Sequence, residues 1–263
     1  MPGETDWVAM TEILPAATVT VPLAAGVGGT DGPGSVTVAT VLPMAWPAIR
    51  RADGSILIAT QGGPASGDAS RDLASALLAA LAVAPGTPLA HVPLATDATA
   101  PLAELVDTSG APEVTVHEGF DFWVEGQDLD AEARESLARA NGSVVPTTKM
   151  RSAPSAYWCL LNGRAHLRLV LPDDEDASTD ALARLYAAGE AGLGDGTRLL
   201  GAFRTCGLLV PVWELAGDSP ADDYEDALAA FAERYAAALR DTPLSPEERR
   251  ARSGLLSRQV TLR

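Results

Sequence analysis

Five consecutive residues, His117-Glu118-Gly119-Phe120-Asp121, place an imidazole and two carboxylates close enough to donate and accept a proton around a reacting group. The same spacing also fits an ordinary turn: on extended chain His117 and Glu118 point to opposite faces, and Gly119 is a residue at which a strand can bend. A second cluster is cationic. Arg164, His166 and Arg168 alternate with Ala165, Leu167 and Leu169, so they share one face of a strand, and with Arg204 they would form an anion-binding patch. The competing reading is a solvated sheet face. Between them, residues 61–68 (QGGPASGD) lie after a strand and before a helix, the order in which backbone amides cradle a phosphate, but the carboxylate of Asp68 at the cap position opposes an anion. Cys159 and Cys206 fall in apolar, strand-like runs and are expected to be free, buried thiols, and a Cys159/His166 nucleophile pair rests on nothing beyond the presence of both residues. Trp46, Trp123, Trp158 and Trp213 could line an aromatic cleft, although large hydrophobes within strands usually belong to a core.

Hairpins and helices must position these groups. Runs 157–161 and 165–171 flank Asn162-Gly163, the dipeptide that tolerates positive φ in a two-residue turn. Pro172 then stops the strand, the acidic run 173–176 can cap a helix, and Leu182, Leu185 and Tyr186 mark its apolar side. The same order occurs earlier: strand 44–50, Asp53-Gly54, strand 55–60, then a helix capped by Asp68 or Ser70 with Leu73, Leu77, Leu78 and Leu81 on one stripe, closed by Pro85-Gly86. Each helix is followed by strand-like runs that carry a tryptophan: 114–117 and 120–125 with Trp123, and 198–204 and 208–215 with Trp213. Each of these leads to a further helix, 130–140 and 221–240, and the latter bears Tyr224, Leu228, Phe231, Tyr235 and Leu239 as a buried stripe.

The pattern predicts an α+β fold of two pseudo-repeated halves, in which antiparallel strand pairs alternate with amphipathic helices. Residues 142–154, with two prolines and no periodicity, set the halves at 1–145 and 155–263, the alternative being one continuous domain. Upstream, 18–23 and 36–41 alternate as two more strands. Their glycine-rich link 26–35 lacks the lysine and Ser/Thr of a P-loop. At the far end Ser245-Pro246-Glu247-Glu248 starts a helix leading into Arg249, Arg250 and Arg252, with Arg258 and Arg263 beyond. This tail is expected to dock through Leu255, Leu256, Val260 and Leu262, its arginines facing Asp173, Asp174 and Glu175.

Composition bounds the function. With 35 acidic against 19 basic residues the formal charge is −16, and Lys149 is the only lysine, so general binding to nucleic acid or to anionic lipid is disfavoured. Two cysteines are too few for a disulfide framework or a four-thiolate zinc site, so reduced thiols, no metal and no cofactor are expected. The first residues, MPGETDWVAM, show no signal-peptide pattern, and no apolar run has the length of a bilayer span, which reads as a cytoplasmic protein without membrane contact.

Several stretches, among them LPMAWPA at 42–48, SGDASRDL at 66–73, VTVHEGFDFW at 114–123, AYWC at 156–159, GAFR at 201–204 and GLLVPVW at 207–213, resemble a domain-of-unknown-function family of cytoplasmic proteins from high-GC Gram-positive bacteria. The resemblance covers nearly the whole chain and implies no activity, cofactor or site residue. Members of that family often carry a Lys/Arg-rich extension ahead of the matching region, which a start at MPGETDW lacks. The leading reading is a non-catalytic binding or adaptor protein whose partner is another protein or a small anionic ligand. The alternative is an enzyme with an acid/base site at His117, Glu118 and Asp121.

Overall fold

The computed structural model describes residues 2–29, 32–41, 46–61 and 65–257. Met44, where a strand was expected to begin, and the alternating segment 259–262 lie outside the described residues, as do Arg258 and Arg263. The chain divides into two compact units, Met1–Val144 and Val145–Arg263. Each mixes helices with a largely antiparallel sheet, so the fold is α+β in two halves.

In the first unit the chain runs through α1 (Glu4–Glu12), β1 (Ala17–Pro22), β2 (Ser35–Ala39), β3 (Ala48–Arg50), β4 (Ile56–Ala59), α2 (Ala69–Ala82), β5 (Thr87–Leu89), α3 (Leu102–Leu105), β6 (Val114–Val116) and α4 (Ala131–Asn141). The strands form one six-stranded sheet in the order β5-β3-β4-β2-β1-β6, in which β2 and β4 run parallel and the other pairs antiparallel. Helix α2 packs against β3 and β4. The opposite face presents Ala39, Ile49, Leu57 and Ala59 to Phe120 and Trp123.

Two local expectations change here. Trp46 is not a core strand residue: it is 41% exposed and precedes β3, whose ladder starts only after Pro47, a residue with no N–H to give. Residues 121–123 form a 3-10 turn instead of a strand. Asn141 sets it, accepting from the Phe120 amide at 2.8 Å and donating to Asp121 at 2.9 Å. Gly119 lets that side chain approach, since a Cβ there would lie 2.6 Å from Asn141 Cγ. Trp123 then swings into the core, its indole N–H bonded to the Thr40 carbonyl at 2.9 Å.

The second unit contains β7 (Thr147–Lys149), β8 (Ala156–Leu161), β9 (Arg164–Leu169), α5 (Glu175–Ala188), β10 (Arg198–Thr205), β11 (Leu208–Glu214), α6 (Glu225–Ala238) and α7 (Pro246–Ser257). Its sheet is wholly antiparallel, ordered β10-β11-β9-β8-β7. Asn162 and Gly163 adopt positive φ of 52° and 73° and make the expected tight turn between β8 and β9. Asp174 caps α5 by accepting from the Asp176 and Ala177 amides, and Gly189 ends it at φ 74°. Leu167, Leu182, Leu185, Trp213, Leu228, Phe231 and Tyr235 form one core between sheet and helices, with the Trp213 and Phe231 rings edge to face at 4.9 Å.

The repeat shared by the halves is a hairpin followed by a helix, β3-β4-α2 and β8-β9-α5. Beyond that the halves diverge, since a mixed sheet stands against an antiparallel one, and Trp123 sits in a 3-10 turn whereas Trp213 lies on β11. Cys206 is also not a buried strand residue. It is exposed at φ 50°, and with Gly207 at φ 77° it forms the two-residue turn between β10 and β11. Among the described residues no helix is long and apolar enough to cross a membrane, and no group of three or more His, Cys, Asp or Glu is placed to hold a metal ion.

The charged tail docks as a helix. Leu255 is buried in the second core, while Arg252 reaches Asp176 at 2.7 Å, the residue next to the expected carboxylates, and Asp180 at 2.6 Å, a turn further along α5. Of those expected partners, Glu175 instead pairs with Arg204 at 2.8 Å.

Candidate functional site

The structure does not bring the acid/base candidates together. His117 follows β6, and its amide is bonded to the Ala16 carbonyl at 2.8 Å. Its Nε2 lies 2.8 Å from the Thr18 hydroxyl, and its ring packs on Phe122 with centroids 4.7 Å apart. Burial holds the imidazole below its ordinary pKa, which favours the neutral form. Glu118 is exposed, and Asp121 is occupied by Asn141. No hydrogen bond joins His117 to either carboxylate.

The cationic residues are likewise distributed. Register pairs Arg168 with Val212 and Arg204 with Leu209, and Leu209 and Trp213 share the helix-covered face of the sheet. Arg204 therefore lies on the face opposite His166 and Arg168. Arg164 and Arg198 both reach Glu214 at 3.4 Å. The face of His166 is not the solvated one of the competing reading: His166 is 9% exposed with Nδ1 2.9 Å from the Arg164 carbonyl, and Tyr157, Cys159, Val210 and Val212 on the same face are buried.

The sheet order adds a third residue to the Cys159/His166 pair on that face. Cys159, His166 and Glu214 stand directly opposite one another on β8, β9 and β11. No hydrogen bond joins the thiol to the imidazole. Burial pushes the Cys159 thiol up, with the charge of Arg168 opposing, so the sulfur is a protonated hydrophobe and not an activated nucleophile.

A different place offers room for a ligand. At the carboxyl end of β4 the chain leaves the sheet through Thr60 and Gln61 and returns at the start of α2, leaving a cavity of about 400 Å3. Ala59, Ala69, Leu73, Ala76, Val92 and Pro93 supply most of its apolar wall. The small side chains on the strand and helix leave the space. Two side-chain bonds fix the other walls: Gln61 donates to the Thr11 carbonyl at 2.8 Å, tying in the last turn of α1, and Ser75 donates to the Pro93 carbonyl at 2.8 Å, tying in residues 92–93. Clefts beyond the carboxyl ends of parallel strands, such as β2 and β4, are common ligand positions in mixed α/β sheets.

The loop before α2 explains why this is not a phosphate cradle. Asp68 accepts from the Arg71 amide at 3.1 Å, and both oxygens of Asp72 accept from the Ser66 amide at 3.1 and 3.2 Å, so two amides are held by carboxylates whose charge opposes an anion. Residues 62–64 of that loop lie outside the described residues. Two of the large apolar side chains left in solvent adjoin the cavity in sequence: Trp46 precedes Pro47 and Leu94, 55% exposed, follows Pro93, both prolines lining it.

A family model matches residues 1–263 from end to end. The chain belongs to DUF5926, a family of unknown function. No curated protein and no solved structure matches it. Membership therefore brings no residue roles to the cavity, and the stretches that carry the family resemblance reach it only in part, through residues 42–48 and 66–73.

Proposed function

We propose that this chain is a non-catalytic cytoplasmic binding protein whose ligand occupies the cavity at the end of β4. The observation that carries this reading is a space of about 400 Å3 walled by small apolar side chains and bordered by one carboxylate. The groups that could do acid/base work elsewhere are held in structural bonds to Thr18, Asn141 and backbone carbonyls. Saturation-transfer NMR against a library of small organic molecules tests it, run beside Ala69→Phe, a substitution at an exposed position that narrows the cavity. Hits lost in Ala69→Phe support the reading; hits that bind both chains alike refute it.

The alternative, an enzyme using His117, Glu118 and Asp121, rests on the neutral imidazole that burial leaves at His117. Asn141 fixes Asp121 through one oxygen, and no hydrogen bond joins His117 to Glu118 or Asp121, which is why the binding reading stands first.

A further inference from the structure

Resting on the reading of the cavity as a ligand site, we infer that its ligand is a compact organic amine: an apolar body of about bicyclic size carrying one positive charge, not the small anion that the arginine pattern of the sequence suggested. Among the described residues that line the cavity Asp72 is the one charged side chain, and none of them is a lysine, arginine or histidine. A carboxylate accepts and cannot donate, and the Ser66 amide uses only part of its capacity, leaving lone pairs for a ligand.

The neutral groups share this polarity. Gln61 spends one of its two amide N–H groups on the Thr11 carbonyl and keeps its Oε1 as an acceptor. Thr11 gives its hydroxyl hydrogen to the Trp7 carbonyl at 3.1 Å, so its oxygen too can only accept. The Asp72 carboxylate, the Gln61 Oε1 and the Thr11 hydroxyl oxygen can all accept from an ammonium group placed in the cavity. Asp68, beside the mouth, adds negative charge although Arg71 pairs with it at 3.1 Å. The Arg71 guanidinium holds Asp68 and the carbonyls of Asp97 and Thr99, and Arg71 is not among the described lining residues.

An anion would meet Asp72 without a counter-charge, which is strongly unfavourable in a partly desolvated site. The apolar part of the ligand has Leu73, Ala76, Val92 and the two prolines to cover it, with Trp46 and Leu94 exposed close by in sequence. The volume of about 400 Å3 accommodates a fused aromatic ring with a short side chain and is small for a folded peptide segment.

Three probes of one shape separate charge from size: tryptamine, neutral tryptophol and anionic indole-3-acetate, titrated by calorimetry at low ionic strength into the native chain, Asp72→Asn and Ala69→Phe. Asp72→Asn keeps an acceptor for the Ser66 amide, and circular dichroism confirms its fold. Native chain should bind tryptamine about tenfold or more tightly than tryptophol, with indole-3-acetate weakest. Asp72→Asn should shrink the preference to about threefold or less, and Ala69→Phe should weaken tryptamine and tryptophol together. Equal binding of tryptamine and tryptophol, lost in Ala69→Phe, overturns the amine inference while the cavity reading stands. Binding unaffected by Ala69→Phe, or no binding of any probe, overturns both.

Discussion

Replacing Leu255 with alanine should release α7 from the second unit. Leu255 is 4% exposed and is the fully buried residue among the described side chains of the helix, the rest of which are half-buried or exposed. It joins the core that contains Leu182 and Leu185 of α5, the helix against which α7 packs. Large-to-small changes at such positions cost about 2 to 5 kcal/mol, and the surface position of the helix, with Leu255 as the buried leucine among its described side chains, places this site at about 2 to 3 kcal/mol. Arg252 makes bonds of 2.6 and 2.7 Å to Asp180 and Asp176, but its side chain is 29% exposed and Asp176 is 78% exposed, so Arg252→Ala should cost only about 1 kcal/mol. The two changes should not add, because once Leu255→Ala undocks the helix the ion pairs have nothing left to hold. Hydrogen exchange resolved to peptides reads this directly. A loss of 2 to 3 kcal/mol corresponds to roughly 30- to 150-fold faster exchange across 246–257, with a smaller increase along α5. Exchange in Leu255→Ala within about threefold of native would refute the reasoning that one apolar anchor, and not the arginines, holds the tail.

Three further outcomes follow from particular environments. Under native conditions a thiol reagent should modify Cys206 rapidly and Cys159 slowly, because the first sits in an exposed turn and burial raises the pKa of the second; equal rates would contradict this. His117 should titrate below 6.5 by NMR, since burial depresses its folded pKa. The stability this contributes is complete above the unfolded value of about 6.5 and is lost as pH falls through the folded one; a midpoint at or above 6.5 would remove the effect. Arg184, nearly buried, donates to the carbonyls of Ala238 at 3.0 Å and Thr242 at 2.6 Å beyond the end of α6, so Arg184→Ala should cost about 3 kcal/mol in urea unfolding, with Arg184→Lys recovering part of it.

Much of the fold is legible in the chain because its signals are local. Asn162-Gly163 has one good conformation between two apolar runs, Asp68, Asp130 and Asp174 stand where a helix needs an acceptor, and the stripe Tyr224-Leu228-Phe231-Tyr235 has one period. Misreadings arise where a distant partner decides. Residues 120–125 have strand composition, but Asn141, twenty residues on, captures the Phe120 amide and bends them. Cys206 is not a turn-forming type, and only Gly207 beside it hinted at a second tight turn. The cavity left no trace in the sequence because its walls come from Thr11, Pro47, Thr60, Asp72 and Val92, which share no motif and meet only through the sheet order and the Gln61 and Ser75 bonds.

Methyl NMR of the alanine-labelled chain titrated with tryptamine tests the central claim most directly, because Ala59, Ala65, Ala69 and Ala76 all line the cavity. The account requires saturable shifts concentrated on those four methyls, with Ala181 and Ala183 of the second unit unmoved. Shifts spread over both units, or none at the four cavity methyls, would contradict it.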